Sequence, residues 1–331
     1  MSTKEFRMST PIRIEMSQIG EPSVLRPATF QLSPPAPGEV RLRHSMVGVN
    51  FVDIYFRCGL YPITDEPRVL GVEAVGVIEA LGDGVTELSL GQRVAYAGFP
   101  LGSYASHRNV AAERLLPVPD SVSDEAAASA LLRGMTAHML LNRVRPVAAG
   151  ESMLVHAAAG GLGQVLGQWA SKLGVRLIGT VGSAEKAEIA RCKGYDDVIL
   201  YREQDFAEAV QRLTDGAGVD YVIDGVGADT LAKSLASAGA FGTVAGIGQP
   251  SGMLQSLPME TMARAIQFTR PSVLLHMADL HHYRISGNAV MEQLANGLTV
   301  DIADKIPLEQ ASQAHTLLQS GQTVGAVLLS V

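Results

Sequence analysis

The chain has 331 residues, 47% of them hydrophobic, and a formal net charge of −7. That length and apolar content support two domains with a core each, and the acidic balance argues against sequence-independent nucleic-acid binding through a basic surface. Its two cysteines, Cys58 and Cys192, lie far apart and in no motif, which excludes a disulfide framework and fits a reducing, cytoplasmic compartment. Met1–Met16 carries charges and a proline but no apolar stretch, so no signal peptide is expected. The uncharged run Ser152–Ser171 is long enough to cross a bilayer. It is broken by His156, several glycines, Gln164 and Gln168, so no membrane span is expected.

Residues 11–120 read as short strands and turns. Pro34-Pro35-Ala36-Pro37-Gly38 is a turn, after which Val40 and Leu42 alternate with Arg41 and Arg43, a half-buried strand with its polar face outward. Val69–Leu81 reads as two apolar strands around Gly71 and Gly76. Gly82-Asp83-Gly84 turns the chain, and Leu90–Val94 leads into another strand. From Ser121 the texture changes. Ser123, Asp124 and Glu125 mark a helix start, negative charge at the positive end of the dipole, and Ala126–Leu141 is expected to be helical with an interruption at Gly134.

Met153–His156 is then a short strand that enters Ala157–Ala159, Gly160, Gly161 and Gly163. Leu162, Val165, Leu166, Trp169, Ala170 and Leu173 fall on one face of a helix, Gly174 sits just past its end, and Val175–Thr180 is the next strand. Strands and helices go on alternating: helix Ala184–Lys193, helix Asp205–Thr214 capped by Asp205, strand Val219–Asp224, helix Ala228–Ala238, strand Ala240–Gly246, helix Pro258–Phe268 and strand Pro271–His276. Helix Leu308–Gln319 and strand Gly325–Ser330 close the chain. The alternation predicts an α/β fold with a doubly wound parallel sheet, embedded in a split β-rich domain.

The stretch from Met153 to Thr180 is the first βαβ unit of a dinucleotide-binding domain. Aligned on its last glycine, the fingerprint reads Ala158-Ala159-Gly160-Gly161-Leu162-Gly163, with alanine at the first glycine position. Glycines there let the backbone turn tightly and approach a pyrophosphate seated on the helix N-terminus. About 20 residues past the glycines, an NAD site places an acidic residue on the ribose. Here Gly179-Thr180-Val181-Gly182-Ser183 holds no carboxylate. Ser183 can cap the following helix and donate to a phosphate, and Lys186 can supply charge; alternatively the two are a plain cap and a solvated lysine. Together they favour NADPH. Ala245, Gly246 and Ile247 lie at a strand's carboxyl end, where open sheets bind ligands.

Several motifs in order now carry a resemblance: Asn50-Phe51-Val52-Asp53-Ile54-Tyr55 with Gly59-Leu60-Tyr61-Pro62, Gly71-Val72-Glu73-Ala74, His156–Gly163, Gly179–Gly182, Tyr201-Arg202-Glu203 and Thr269-Arg270-Pro271-Ser272. Over nearly its whole length the chain resembles the zinc-free quinone oxidoreductase (zeta-crystallin-like) branch of the medium-chain dehydrogenase/reductase superfamily. The resemblance implies a GroES-like β-rich catalytic domain plus a Rossmann doubly wound parallel-sheet domain, with 1–132 the N-terminal part of the catalytic domain, 133–272 the NADPH-binding domain and 273–331 the return to the catalytic domain. It also implies a homodimer joining Rossmann sheets edge to edge. By the same resemblance Asn50, Asp53 and Tyr55 line the nicotinamide end of the active site and Tyr61 the substrate pocket. Asp53 can equally cap a helix, and the two tyrosines can simply pack. Ser183, Lys186 and Tyr201 map onto the adenosine 2′-phosphate site, and Arg270, Pro271 and Ser272 lie near the nicotinamide.

Zinc-dependent relatives carry Gly-His-Glu where this chain has Gly71-Val72-Glu73, and cysteine where it has Asn50. Valine cannot ligate a metal, and two cysteines cannot build a structural quartet, so no metal site is expected. Glu73 then reads as a structural carboxylate. Without a Lewis acid to hold an alkoxide, quinones and activated alkenes are better hydride acceptors than carbonyls. The chain also departs from the family: a helix tyrosine that often contacts cofactor falls near His138, a C-terminal arginine is replaced around Gly321-Gln322, and a serine is replaced by Gly225. His281-His282 lacks a third ligand at metal spacing and reads as a solvated loop. The leading expectation is NADPH-dependent quinone reduction. The alternatives are an enone or enoyl-thioester double-bond reductase, and, in another class, a zeta-crystallin-like RNA-binding or structural protein.

Overall fold

A computed structural model describes residues 10–253, 255–257, 259–262 and 264–331. The chain divides into a first unit reaching to Ala128 and including Asp304–Gln322 and Val327–Val331, and a second unit of Ser129–Ala303 with Thr323–Ala326.

The first unit contains β1 (Ile12–Met16), β2 (Leu25–Thr29), β3 (Glu39–Val49), helix α1 (Phe51–Arg57), β4 (Arg68–Val69), β5 (Glu73–Leu81), β6 (Arg93–Ala97), β7 (His107–Ala111) and β8 (Leu116–Pro117). In β3 the expected alternation holds: Val40 and Leu42 are buried and Arg43 is exposed. β3 pairs antiparallel with β5 and β7. Gly71, at φ +101°, breaks the run between β4 and β5. Gly76 does not end a strand. It lies inside β5, where a Cβ would collide with the Arg43 carbonyl, so glycine is what lets β5 lie close to β3.

The second unit begins within α2 (Asp124–His138), which runs on into a π-helical turn, Met139–Val144. Gly134 does not interrupt α2. It admits Val290, whose Cγ2 lies 2.5 Å from where a Cβ would stand. Then follow β9 (Ser152–His156), α3 (Gly161–Lys172), β10 (Arg176–Val181), α4 (Ala184–Cys192), β11 (Asp197–Leu200), α5 (Phe206–Leu213), β12 (Val219–Asp224), α6 (Leu231–Ser237), β13 (Ala238–Gly246), β14 (Gln267–Thr269), α7 (Val273–Ala278) and α8 (Leu280–Ala295). The strands form a parallel sheet in the order β11-β10-β9-β12-β13-β14. The order reverses between β9 and β12, which opens a ligand crevice at their carboxyl ends. Leu154, Ile178, Val222 and Val244 of the sheet meet Phe206, Val210 and Leu235 of the covering helices in one core.

Three expectations are corrected. The helix expected over Pro258–Phe268 is a 3-10 turn at Met259–Met262 followed by β14, which pairs in parallel with Thr243–Ala245; Pro258 itself, with Ala263, lies outside the described residues. The strand expected over Pro271–His276 is α7, begun by Ser272, whose Oγ accepts from the Leu275 N–H at 3.4 Å. Short apolar runs fit either period, and the open edge of β13 decides between them. Leu173, expected on the buried face of α3, is exposed beyond its last turn.

The chain returns through β15 (Ile302–Pro307), α9 (Ala311–Gln319) and β16 (Ala326–Ser330), which pairs antiparallel with β3. Residues 273–303, placed by sequence in the returning segment, pack with the second unit instead. Val290 of α8 lies against Gly134, and Gln168 bonds to the Thr299 carbonyl at 2.7 Å.

Burial holds both His44 and His315 of the first unit neutral, each pushed down to about 3. The unfolded chain protonates these rings below about 6.5, so the stability they confer is complete above that pH and is lost as pH falls from there towards 3. Each ring contributes about 1.4 kcal/mol per pH unit to that slope. In urea melts between pH 6 and 4.5, His44→Gln is expected to flatten the slope by about that amount; an unchanged slope refutes the assignment.

Candidate functional site

In the second unit, β9 ends at His156 and the chain turns through Ala157, which holds φ +53°. Gly160 is the N-cap of α3. Gly163 is needed for close approach rather than for φ: a Cβ there would press on the carbonyl oxygens of Ala157 and Ala158, the latter at 2.6 Å. A Cβ on Gly160 would meet only Ala157, its carbonyl oxygen at 3.1 Å and its Cβ at 3.9 Å, so its outer face is open. The first-turn N–H groups of Gly161, Leu162 and Gly163 have no partners within the helix and carry its positive end.

A buried cation stands at the same place. Arg133 Nε lies 2.5 Å from where a Cβ on Gly161 would be, while its Nη1 donates to the Ser129 carbonyl at 2.9 Å. The guanidinium packs directly on Gly161 and adds positive charge beside the helix N-terminus, so an anion such as a pyrophosphate is favoured at that end. Sequence reasoning missed Arg133, which sits on α2 in no motif.

The end of β10 fits a second anion. A Cβ on Gly182 would lie 3.0 Å from Tyr201 Oη and 3.3 Å from Arg202 Nε. Burial, and then the Arg202 charge, hold the Lys186 ammonium below its usual pKa. Two cations thus converge beside a tyrosine hydroxyl, with no carboxylate in Gly179–Ser183. Arg202, noticed in the sequence but not assigned to the site, belongs to this group. Ser183 is more fully engaged than expected. It caps α4, accepting from the Lys186 N–H at 3.4 Å, and donates to the exposed Glu185 carboxylate.

The carboxyl ends of β12 and β13 border an open cleft lined by Asp224, Gly227, Gly246, Gln249 and Arg270 among others. Ala245 is buried in β13, while Gly246 and Ile247 are half-buried at its end. A Cβ on Gly225 would touch only the Ile247 side chain, at 3.8 Å, so this position too is open. Arg270 donates to Gln249 Oε1 at 2.7 Å, Pro271 is half-buried, and Ser272 caps α7. His156 is a core strut: Nδ1 meets Thr180 Oγ1 and Nε2 meets Ser234 Oγ, both at 2.8 Å.

In the first unit, α1 gathers Asn50, Asp53 and Tyr55. Asn50 caps the helix from an extended backbone, and its N–H donates to Asp53 Oδ2 at 2.9 Å. Its Nδ2 donates to Glu73 Oε1 at 2.7 Å, and all three polar side chains are buried. Gly48 makes room: a Cβ there would overlap the Glu73 carboxylate. Val72 is fully buried beside it. The set therefore satisfies itself with an amide–carboxylate hydrogen bond where zinc-dependent relatives need soft or imidazole ligands. The Tyr55 and Tyr61 rings meet edge to face at 5.4 Å, and Phe56 touches both Tyr61 (5.6 Å) and Phe99 (6.0 Å). The result is an aromatic wall suited to a flat conjugated molecule.

His138 and the His281-His282 pair both take places in helices. His138 packs on Trp169 at 5.9 Å between ring centroids, and burial together with the His282 charge lowers its pKa. His281 and His282 lie not in a loop but in the first turn of α8, their N–H groups capped by Asp279 at 2.9 and 3.2 Å. Among the described residues no group of three or more His, Cys, Asp or Glu could hold a metal ion.

Comparison with known proteins gives the same picture. The alcohol dehydrogenase GroES-like domain family matches residues 36–120, and the zinc-binding dehydrogenase family matches 161–279. Quinone oxidoreductase 1 of Escherichia coli is 37% identical over 322 residues, 96% of this chain and 98% of that protein. The 2-haloacrylate reductase of a Burkholderia species is 38% identical, over 89% of this chain and 91% of its own. The crystal structure of E. coli quinone oxidoreductase complexed with NADPH aligns with a TM-score of 0.92 at 37% identity, covering 97% of this chain and all of that one. On its motifs, its parallel sheet, its valine and asparagine at the zinc-ligand positions, and these likenesses, the chain belongs to the zinc-free quinone oxidoreductase family of the medium-chain dehydrogenase/reductase superfamily.

Proposed function

We propose that the chain is an NADPH-dependent quinone reductase that works without zinc. The observation that carries the reading is the acceptor side of the first unit: Asn50 is bonded to Glu73 and Val72 is inert, so no side chain there presents a metal-ligand set, while Tyr55 and Tyr61 offer an aromatic wall. Bound NADPH supplies a hydride. Gly160–Gly163 with Arg133 would receive its pyrophosphate, and Lys186, Tyr201 and Arg202, with Ser183 at the rim, its 2′-phosphate. Ala245–Ile247 and Arg270–Ser272 would border the nicotinamide half. Asn50, Asp53, Tyr55 and Tyr61 are assigned to orienting the acceptor. A quinone spreads the added charge over its conjugated ring, so positioning and neutral hydrogen bonds suffice and the proton comes from solvent.

Assay of purified protein with NADPH or NADH, and with a small para-quinone or an α,β-unsaturated acid, tests this. Quinone turnover with a clear NADPH preference is expected. No quinone turnover refutes the reading. A second reading, reduction of an activated carbon–carbon double bond, is favoured by the likeness to the 2-haloacrylate reductase, and turnover of the unsaturated acid alone would put it first.

The same reading includes a homodimer. β14 is an edge strand of the parallel sheet, and Phe241 beside it is 76% exposed. An edge of this kind offers its unpaired N–H and C=O groups to a symmetry mate, which supports the dimer reading. Light scattering is expected to give twice the monomer mass. A cytoplasmic location is supported by two exposed free cysteines, Cys58 and Cys192.

A further inference from the structure

The bonds that make His156 a strut do not stop at Ser234. They join three neighbouring strands of the parallel sheet. His156 ends β9, Thr180 is its register partner in β10, and Asp224 ends β12 just after Ile223, the partner of Val155. Ser234 of α6 donates to Asp224 Oδ2 at 2.7 Å, and its oxygen lies 2.8 Å from His156 Nε2. Asp224 Oδ1 accepts the Val226 and Gly227 N–H groups at 2.9 and 3.0 Å, and Thr230 Oγ1 donates to the same carboxylate, 2.8 Å from Oδ2. The Asp224 carbonyl accepts the Ile247 N–H at 2.8 Å. His156, Thr180, Asp224 and Ser234 are all buried, and Phe206 meets the imidazole edge to face at 4.7 Å. One aspartate thus holds both the β12–α6 turn, Gly225–Gly227, and the end of β13 along the open cleft.

The donors and acceptors admit one direction. A carboxylate only accepts, so the Ser234 proton goes to Asp224 and the serine oxygen must accept from the ring. The imidazole proton therefore sits on Nε2, which leaves Nδ1 to accept from the Thr180 hydroxyl at 2.8 Å. The ring stays neutral, because burial lowers its pKa although the Asp224 charge pulls the other way.

We propose that His156 is a positioning residue for the dinucleotide: through Ser234 it aims the Asp224 carboxylate at the Val226 and Gly227 amides and so sets the wall of the cleft. The effect on affinity rests on the placing of the cofactor in this cleft; the effect on the turn does not. A plain core strut would lower stability when removed and leave the cofactor affinity of the folded protein unchanged.

The test compares Ser234→Ala, His156→Phe and the double variant with the wild type, reading amide hydrogen exchange and cofactor Kd by fluorescence titration. His156→Phe keeps a ring against Phe206 and removes only the nitrogens. Each single change is expected to speed Val226 and Gly227 amide exchange about tenfold and to raise the Kd of NADPH and of NADH about tenfold alike, the worth of one buried hydrogen bond. The double variant is expected to be no worse than either single one, because both cut the same path. Effects that multiply, a folded Ser234→Ala protein with unaltered exchange or unaltered Kd, or a loss confined to NADPH overturn the proposal. So does ¹⁵N spectroscopy of the wild type that finds the His156 proton on Nδ1. If His156→Phe does not fold, Ser234→Ala, which removes one hydroxyl, decides with the ¹⁵N result. A wild type that binds neither cofactor overturns the placing of the cofactor itself, and that result is read before any variant is made.

Discussion

Lys186→Ala is expected to raise the KM for NADPH about 30-fold and to leave that for NADH within about twofold. A charge-assisted hydrogen bond to phosphate contributes about 1.5–3 kcal/mol, and 1.4 kcal/mol is tenfold in affinity. Lys186 sits beside Arg202, and that neighbour's charge already depresses its pKa. Removing Arg202 as well should bring the loss past about 100-fold, roughly the sum of two such bonds. The stability of the cofactor-free chain should move the other way. With no phosphate bound the two cations repel, so Lys186→Ala should raise the cofactor-free melting temperature slightly while lowering the gain that NADPH produces. Equal losses for NADPH and NADH in initial-rate kinetics would show that the group does not read a 2′-phosphate.

Gly163→Val is expected to leave the second unit largely unfolded, a loss of more than about 4 kcal/mol, because the added atoms meet backbone that cannot yield. The Ala157 and Ala158 carbonyls that a Cβ would strike belong to the turn itself, so relief would require moving β9 or α3. Gly160→Ala is the informative partner. Its Cβ meets only the Ala157 carbonyl oxygen, at 3.1 Å, and the Ala157 Cβ at an ordinary 3.9 Å, so stability should change by less than about 1 kcal/mol. If the pyrophosphate lies against that open face, NADPH affinity should nevertheless fall at least tenfold. Urea melts and fluorescence titration separate the two effects. A Gly160→Ala protein that binds NADPH normally would move the pyrophosphate off this face.

The local patterns held wherever neighbours in sequence are neighbours in space. The glycine turn and α3 follow from short-range sterics, Ser183 and Asp205 cap the helices they precede, and the β3 alternation sorts itself by burial. The zinc-free character was legible too, since it needs only the identities of Asn50 and Val72. The readings of β14 and α7 failed because a short apolar segment has no intrinsic preference strong enough to outweigh an unpaired sheet edge. Gly134 and Gly76 looked like breaks and proved to be close contacts, a difference set by what packs against them.

The site divides along the same line. Asn50, Asp53, Tyr55, Gly160–Gly163, Lys186 and Tyr201 lie in continuous motifs, so the sequence by itself determined the fold, the dinucleotide turn and the missing metal ligands. Only the tertiary structure decided that Arg133 packs beside the helix N-terminus, that Arg202 presses on Lys186, and that His315 sits between Arg57 and Tyr104. Each of these is a charge or a proton placed by a distant segment, and its effect grows with burial and proximity, which residue order does not encode.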